Sequence, residues 1–324
     1  MGEGQEKMNE DVRKQETALV LCPPNMTVPN DGPKGLLGDR IHQLPALKAA
    51  TDVYDRTYVW PNDPVARAVF ESLQADFLPG KESAEVIELA KTHGVGKVIC
   101  LYADPSTCPP GRVQDCEILV KCHEIATAVA PGNISMPNQL DPRGRVPLWK
   151  RLLITVRPEV RQDLQWPTLP FLSPTSTHDR AWARDFVSQL AQAGEPVLVV
   201  SPLSGAPKGT VTPIWWEALA QLFHFGKIIV PVHDTEVAKA ERLFGGAQNV
   251  RVIAADISKT SSLAGVQGVH ALGVDGGRMN VLAASRSNGV LTIYGEWPAT
   301  AWAMPNVVTR GPDITPYEAL IAVP

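Results

Sequence analysis

The sequence predicts an α/β protein built from two Rossmann-like halves. Short apolar runs rich in β-branched residues alternate with stretches whose apolar residues recur every three or four positions, the pattern of a parallel sheet covered by helices. The alternation runs through the chain twice. Between the two series, residues 157–177 carry Pro158, Pro167, Pro170 and Pro174 and few periodic apolar residues, which reads as a proline-stiffened linker. The expected layout is a disordered tail over 1–16, a first domain over 17–160, a linker over 161–178 and a second domain over 179–324. The 324 residues suffice for two cores. Two such domains facing one another would bring their strand ends to one cleft, where open α/β sheets take their ligands.

The first series opens with Ala18-Leu19-Val20-Leu21-Cys22, an apolar run expected as a strand. A glycine-bearing loop then leads to a helix on which Ile41, Leu44 and Leu47 share a face. Residues 57–60 form a short strand ended by Pro61-Asn62-Asp63-Pro64. Residues 65–74 follow as a helix with Ala66, Val69, Phe70 and Leu73 on one side. Val86, Leu89 and Ala90 mark a helix over 82–92, closed by His93-Gly94. Residues 97–102 are a buried strand, 114–129 a helix and 151–156 a further apolar run. The second series predicts helices over 179–192, 215–224 and 237–244. Its strands are 196–200, 227–232 and 250–254, with 289–294 closing the series.

Composition narrows the function. A net charge of −4 gives no support for a dominant nucleic-acid face. The five cysteines, Cys22, Cys100, Cys108, Cys116 and Cys122, form no CxxC pair and lack histidines at ligand spacing, so no metal site is expected. They read as thiols in a reducing cytoplasm. Residues 1–16 are charged and contain no apolar run, unlike a targeting segment. No window reaches the roughly 20 apolar residues of a membrane span. The protein is expected to be cytoplasmic and soluble, at most peripheral to a membrane.

Three post-strand loops carry the chemistry. In the first, Gly38 allows close backbone approach, and Asp39 stands at the start of the helix. Asp39 reads either as an N-cap or as an ionised carboxylate placed to accept a proton. The glycine spacing is wrong for a phosphate cradle, and a carboxylate there would repel the anion. In the second, Ser201-Pro202-Leu203-Ser204-Gly205-Ala206-Pro207-Lys208 follows a strand. Its hydroxyls, amides and ammonium can hold phosphate oxygens, and a polar turn is the equal alternative. In the third, Val274-Asp275-Gly276-Gly277-Arg278-Met279-Asn280 runs into a helix of small residues. The open amides of its start can take a diphosphate, or Asp275 can cap it.

These stretches carry a family resemblance. Gly38-Asp39-Arg40-Ile41-His42-Gln43-Leu44-Pro45-Ala46-Leu47 resembles the N-terminal signature of the heptosyltransferases, glycosyltransferase family 9. The stretch from Asp275 to Ala284 is similar to that family's D-S/T-G-x-x-H-L-x-A-A motif. The loop Ser201 to Lys208, with Trp216-Glu217-Ala218-Leu219 after it, resembles its donor-phosphate loop and following helix. The resemblance implies a GT-B fold and an inverting, metal-independent transfer of a sugar from a nucleotide diphosphate sugar, a co-substrate, with no cofactor. It implies Asp39 as general base, with Gly38 a candidate on the acceptor side; His42, one turn from Asp39, is a candidate for lining the acceptor site, with an exposed or packed histidine as the alternative. Ser201, Ser204, Lys208, Asp275, Gly276, Gly277 and Asn280 are implied on the donor side. The acceptor hydroxyl would belong to a glycan, glycolipid, protein or other molecule, met in the cytoplasm or at the inner membrane. Two positions depart from the family: Asn280 stands where histidine is usual, and Gly276 where serine or threonine is. A catalytically weak GT-B protein that binds sugar nucleotides or acts as a scaffold is the alternative. Trp297 and Trp302 are candidates for stacking on a sugar, and Arg278 for meeting phosphate or standing in solvent.

Overall fold

The computed structural model describes residues 14–23, 36–71, 73–102, 117–137, 148–158, 176–204, 211–285, 289–293, 304 and 307–323. The chain divides into two compact units. Described residues up to 158 belong to the first and those from 176 onward to the second.

The first unit opens with β1 (Lys14–Leu21), whose residues 18–21 are fully buried. Residues 14–16, expected in a tail, are therefore strand. Helix α1 (Leu36–Val53) follows, then β2 (Tyr54–Trp60) and α2 (Pro64–Phe70). Asp63 caps α2 by accepting from the Ala66 amide at 2.8 Å, and Pro64 supplies the preset φ of a first helical position. The two-residue β3 (Asp76–Phe77) leads to α3 (Ser83–Thr92), closed at its start by a capping box of Glu82 and Glu85. β4 (Val95–Cys100), α4 (Glu117–Val129), β5 (Ile134–Ser135) and α5 (Leu148–Val156) complete the unit.

The five strands are parallel in the order β3-β2-β1-β4-β5. Successive crossovers leave β1 in opposite directions, so the order reverses between β1 and β4, where Leu21 pairs with Cys100. Leu19, Leu21, Tyr58, Val98 and Ile125 sit in the core of one sheet face. The apolar run at 151–156 is helical rather than extended. Its Leu148, Trp149, Leu152, Leu153 and Val156 are all buried, and α5 packs against α1. Helix α1 is not amphipathic in the expected sense: residues 40–47 are buried all round, Arg40, His42 and Gln43 included.

In the second unit, α6 (Thr177–Leu190) leads to β6 (Val197–Ser201), α7 (Pro213–Leu222) and β7 (Lys227–Val232). These are followed by α8 (Val237–Leu243), β8 (Val250–Ala254), α9 (Ile257–Ala264) and β9 (Val269–Val274). Helix α10 (Gly277–Ala284), β10 (Val290–Ile293), β11 (Val307–Arg310) and α11 (Pro316–Ala322) end the unit. The strand at 290–293 does not close the series, because β11 adds beyond it in parallel. The six strands are parallel in the order β11-β10-β9-β6-β7-β8, a doubly wound sheet whose order reverses between β6 and β9. Strands β6, β7 and β9 are almost wholly buried, which explains why they read as continuous Val/Ile/Leu runs without alternation. Among the described residues no helix is long and apolar enough to cross a membrane.

Candidate functional site

The richest chemistry of the second unit lies at the reversal between β6 and β9. Ser201, the last residue of β6, is buried and in register with Gly273 of β9. A Cβ on Gly273 would stand 2.5 Å from the Ser201 carbonyl oxygen and 2.8 Å from Met279 Sδ. Only glycine fits, and its bare backbone lets α10 settle onto the sheet through Met279. β9 ends at Val274 and is followed by Asp275, whose amide donates to the Ile293 carbonyl at 2.8 Å. Gly276 comes next, and a Cβ there would lie 3.3 Å from the Leu203 carbonyl oxygen and 3.5 Å from Ser204 Cα. The loop after β6 and the start of α10 therefore lie against each other.

Helix α10 begins without a side-chain cap; Gly276 occupies the cap position and Asp275 stands one residue before it. The capping alternative for Asp275 falls on this geometry. The first backbone link of the turn is the Asn280 amide donating to the Gly276 carbonyl at 3.0 Å. The amides of Gly277, Arg278 and Met279 precede that link and carry the positive end of the helix dipole, an arrangement suited to a phosphate. Asn280 is buried one turn into the helix. Burial pushes the Asp275 carboxyl up to about 6, so it takes up a proton far more readily than an exposed aspartate.

Arg278 is neither solvated nor loose. Its Nη1 donates to the Ala255 carbonyl at 2.9 Å and to Thr260 Oγ1 at 2.7 Å. Thr260 Oγ1 in turn donates to the Asp256 carbonyl at 2.7 Å. The start of α10 is thereby tied to the segment after β8 and to α9. Thr260 and Ala255 were not among the sequence candidates, because a hydroxyl and a backbone carbonyl distant in sequence leave no local signal. Lys208, Trp297 and Trp302 lie outside the described residues; Ser204 is described and half-buried.

In the first unit the sequence candidates fall on α1. The helix starts at Leu36, so Gly38 and Asp39 are inside its first turns rather than before it. The N-cap reading of Asp39 is corrected accordingly; its carboxylate lies outside the described part. His42 is fully buried, and burial together with the Arg151 charge pulls it down to about 3. A neutral, enclosed imidazole presents no surface to an acceptor, so of the readings open for His42 the packed histidine is the one its burial fits. The polar group the sequence overlooked is its neighbour Arg40. Fully buried, it pairs through Nη2 with the Asp63 carboxylate and donates from Nη1 to Gln43 Oε1 at 3.2 Å. Gln43 Nε2 donates to the Pro23 carbonyl at 2.7 Å, just past the end of β1. The adjacent Cys22 thiol is pushed up to about 12 by burial, which makes it inert as a nucleophile. Among the described residues no group of three His, Cys, Asp or Glu side chains is placed to hold a metal ion.

No family model and no curated protein matches the chain. Solved structures do. A glycosyl transferase family 9 protein from Veillonella parvula matches with a TM-score of 0.64 at 12% identity, over 93% of this chain and 88% of that one. The E. coli ADP-heptose lipopolysaccharide heptosyltransferase II matches with a TM-score of 0.63 at 14% identity, over 94% and 96%. The E. coli heptosyltransferase WaaC with ADP matches with a TM-score of 0.58 at 16% identity, over 94% and 96%. At these identities the likeness establishes the fold: the chain has the two-sheet α/β architecture of the GT-B heptosyltransferases.

Proposed function

We propose that the chain is a glycosyltransferase of the heptosyltransferase type, family 9, moving a sugar from a nucleotide diphosphate sugar to an acceptor hydroxyl. The observation that carries this reading is the uncapped start of α10 set against Leu203-Ser204 at the reversal of the second sheet, where open α/β sheets bind nucleotides. The amides of Gly277 and Arg278, the Ser204 hydroxyl and the Lys208 ammonium hold the diphosphate. Ser201, Gly276 and Asn280 line the same end of the sheet, and Asp275 stands beside the phosphates.

In the reaction a bond forms between the acceptor oxygen and the anomeric carbon as the bond from that carbon to the diphosphate oxygen breaks. Attack from the opposite face inverts the centre. Asp39, from the first unit, accepts the hydroxyl proton, and the nucleoside diphosphate leaves as an anion. In this reading the amides, the Ser204 hydroxyl and the Lys208 ammonium stabilise the charge that develops on the phosphates, and the reaction needs no metal. The chain works in the cytoplasm, on an acceptor that is soluble or presented at the inner membrane.

The test is release of nucleoside diphosphate from a panel of sugar nucleotides, ADP-sugars first, with and without hydroxyl acceptors. Acceptor-dependent release is the expected result. Tight binding with no release under any acceptor would instead favour a sugar-nucleotide-binding scaffold, a reading motivated by Asn280 in the position where the family has histidine.

A further inference from the structure

Helix α1 has an unusual interior. Ile41, Leu44 and Leu47 bury it through contacts that have no preferred direction, so they tolerate small slides and rotations of the helix. Arg40 and Gln43 do not. The Arg40 guanidinium engages Asp63 through one nitrogen and Gln43 through the other, while Gln43 reaches the Pro23 carbonyl. Asp63 is itself fixed, since its second oxygen caps α2. The start of α1 is thus linked to the carboxyl ends of both β1 and β2 by bonds with defined length and angle.

A guanidinium with no solvent exposure is a poor device for stability alone. Its desolvation offsets most of the attraction to its partner, and well-packed apolar substitutes often stabilise a fold equally. What a planar, forked cation adds is direction. Arg40 immediately follows Asp39 in the chain.

We propose that Arg40, held by Asp63 and Gln43, is a positioning residue that sets the first turns of α1, and with them Asp39, at the carboxyl edge of the first sheet. Its catalytic consequence rests on the reading of Asp39 as the base; its structural content does not.

The experiment uses the full chain with Arg40→Met and, separately, Asp63→Ser, which keeps a capping hydroxyl for α2 but is too short to hold the guanidinium. Amide hydrogen exchange is followed at residues 40–43 and, as an internal control, at 48–53. Transfer rate and nucleoside diphosphate affinity are measured on the same samples. Exchange at 40–43 is expected to accelerate about tenfold or more in both variants, with the control unchanged. Transfer kcat is expected to fall roughly 10- to 100-fold, the scale of a misplaced catalytic group, while nucleotide affinity stays within about twofold. A purely structural role would lower both together or neither. Unchanged exchange and unchanged kcat overturn the proposal; if Arg40→Met does not fold, Asp63→Ser decides. If the wild-type chain transfers nothing to any acceptor, the functional reading fails while the exchange result still decides the positioning role.

Discussion

The two units solve the same topological problem with different material. Each is a parallel sheet whose strand order reverses beside its first strand, and each carries a candidate-bearing helix after a strand at that reversal. In the second unit the helix is seated by absence of side chains. Gly273 lets Met279 reach the sheet, Gly276 lets the loop after β6 close in, and the first amides of α10 are left without a side-chain cap. In the first unit the helix is seated by side chains. Arg40, Gln43 and Asp63 engage one another and Pro23, and the polar groups satisfy the protein itself. A backbone left open suits an anion that arrives and leaves. A backbone locked by buried polar links suits a single group that must be held in place.

The largest effect that would break this contrast is at Asp39. Under the proposed mechanism Asp39→Asn should lower kcat by roughly 10²- to 10⁴-fold, the range for loss of a general base, with nucleotide affinity unchanged in titration calorimetry. Transfer at the wild-type rate would remove the base from the first unit and leave only a lock with nothing to hold.

A smaller effect tests how the second unit is seated. Gly273→Val forces side-chain atoms into the Ser201 carbonyl and Met279, and overpacking of this kind costs about 3 kcal/mol. Chemical denaturation should show that loss. Nucleotide affinity should fall as well, since α10 can no longer settle beside the β6 loop. Retention of full stability would mean that the close approach at Gly273 is not required.

The smallest effect separates the units by pH. Asp275 is raised by burial from 3.8 to about 6, so its contribution to stability is complete below about 4 and is lost as pH rises through 6. His42 is lowered from 6.5 to about 3, so its contribution is complete above about 6.5 and is lost as pH falls toward 3. Between pH 4 and 6 the two slopes have opposite sign. Hydrogen exchange resolved by unit should show the first unit gaining protection as pH rises, after correction for the intrinsic exchange rate, and the second losing it. Asp275→Asn should flatten only the second slope. Equal slopes in both units would show that these two buried groups do not govern them.

Much of the fold was legible along the chain. Strands 227–232 and 250–254 were read to the residue: the first is a buried Ile/Val run in a parallel sheet, and the second, at the sheet's edge and only partly buried, still keeps its β-branched residues. The two-residue strands β3 and β5 were missed, since so short a segment has no period to detect. β11 and α11 were missed because they follow a stretch without regular apolar spacing. The cap alternative for Asp39 arose because aspartate before an apolar run is a common helix start, yet the helix begins three residues earlier, at Leu36. Arg40 was passed over, and His42 was weighed between lining a site and an exposed or packed place, because charge and polarity usually mark a surface. Their burial depends on α5, more than 100 residues away in the chain, and on Asp63.

The sequence by itself determined the alternation, the two-unit division and the three loops that carry hydroxyls, glycines and carboxylates, because periodicity and turn chemistry act between near neighbours. Only the tertiary structure decided the rest: that β6 pairs with β9, that Gly273 is required by a carbonyl of another strand, and that Arg40 holds α1 from within. These are contacts between segments far apart in sequence. Directional bonds and close approaches between such segments leave no trace in local spacing; they exist only once the sheets have formed.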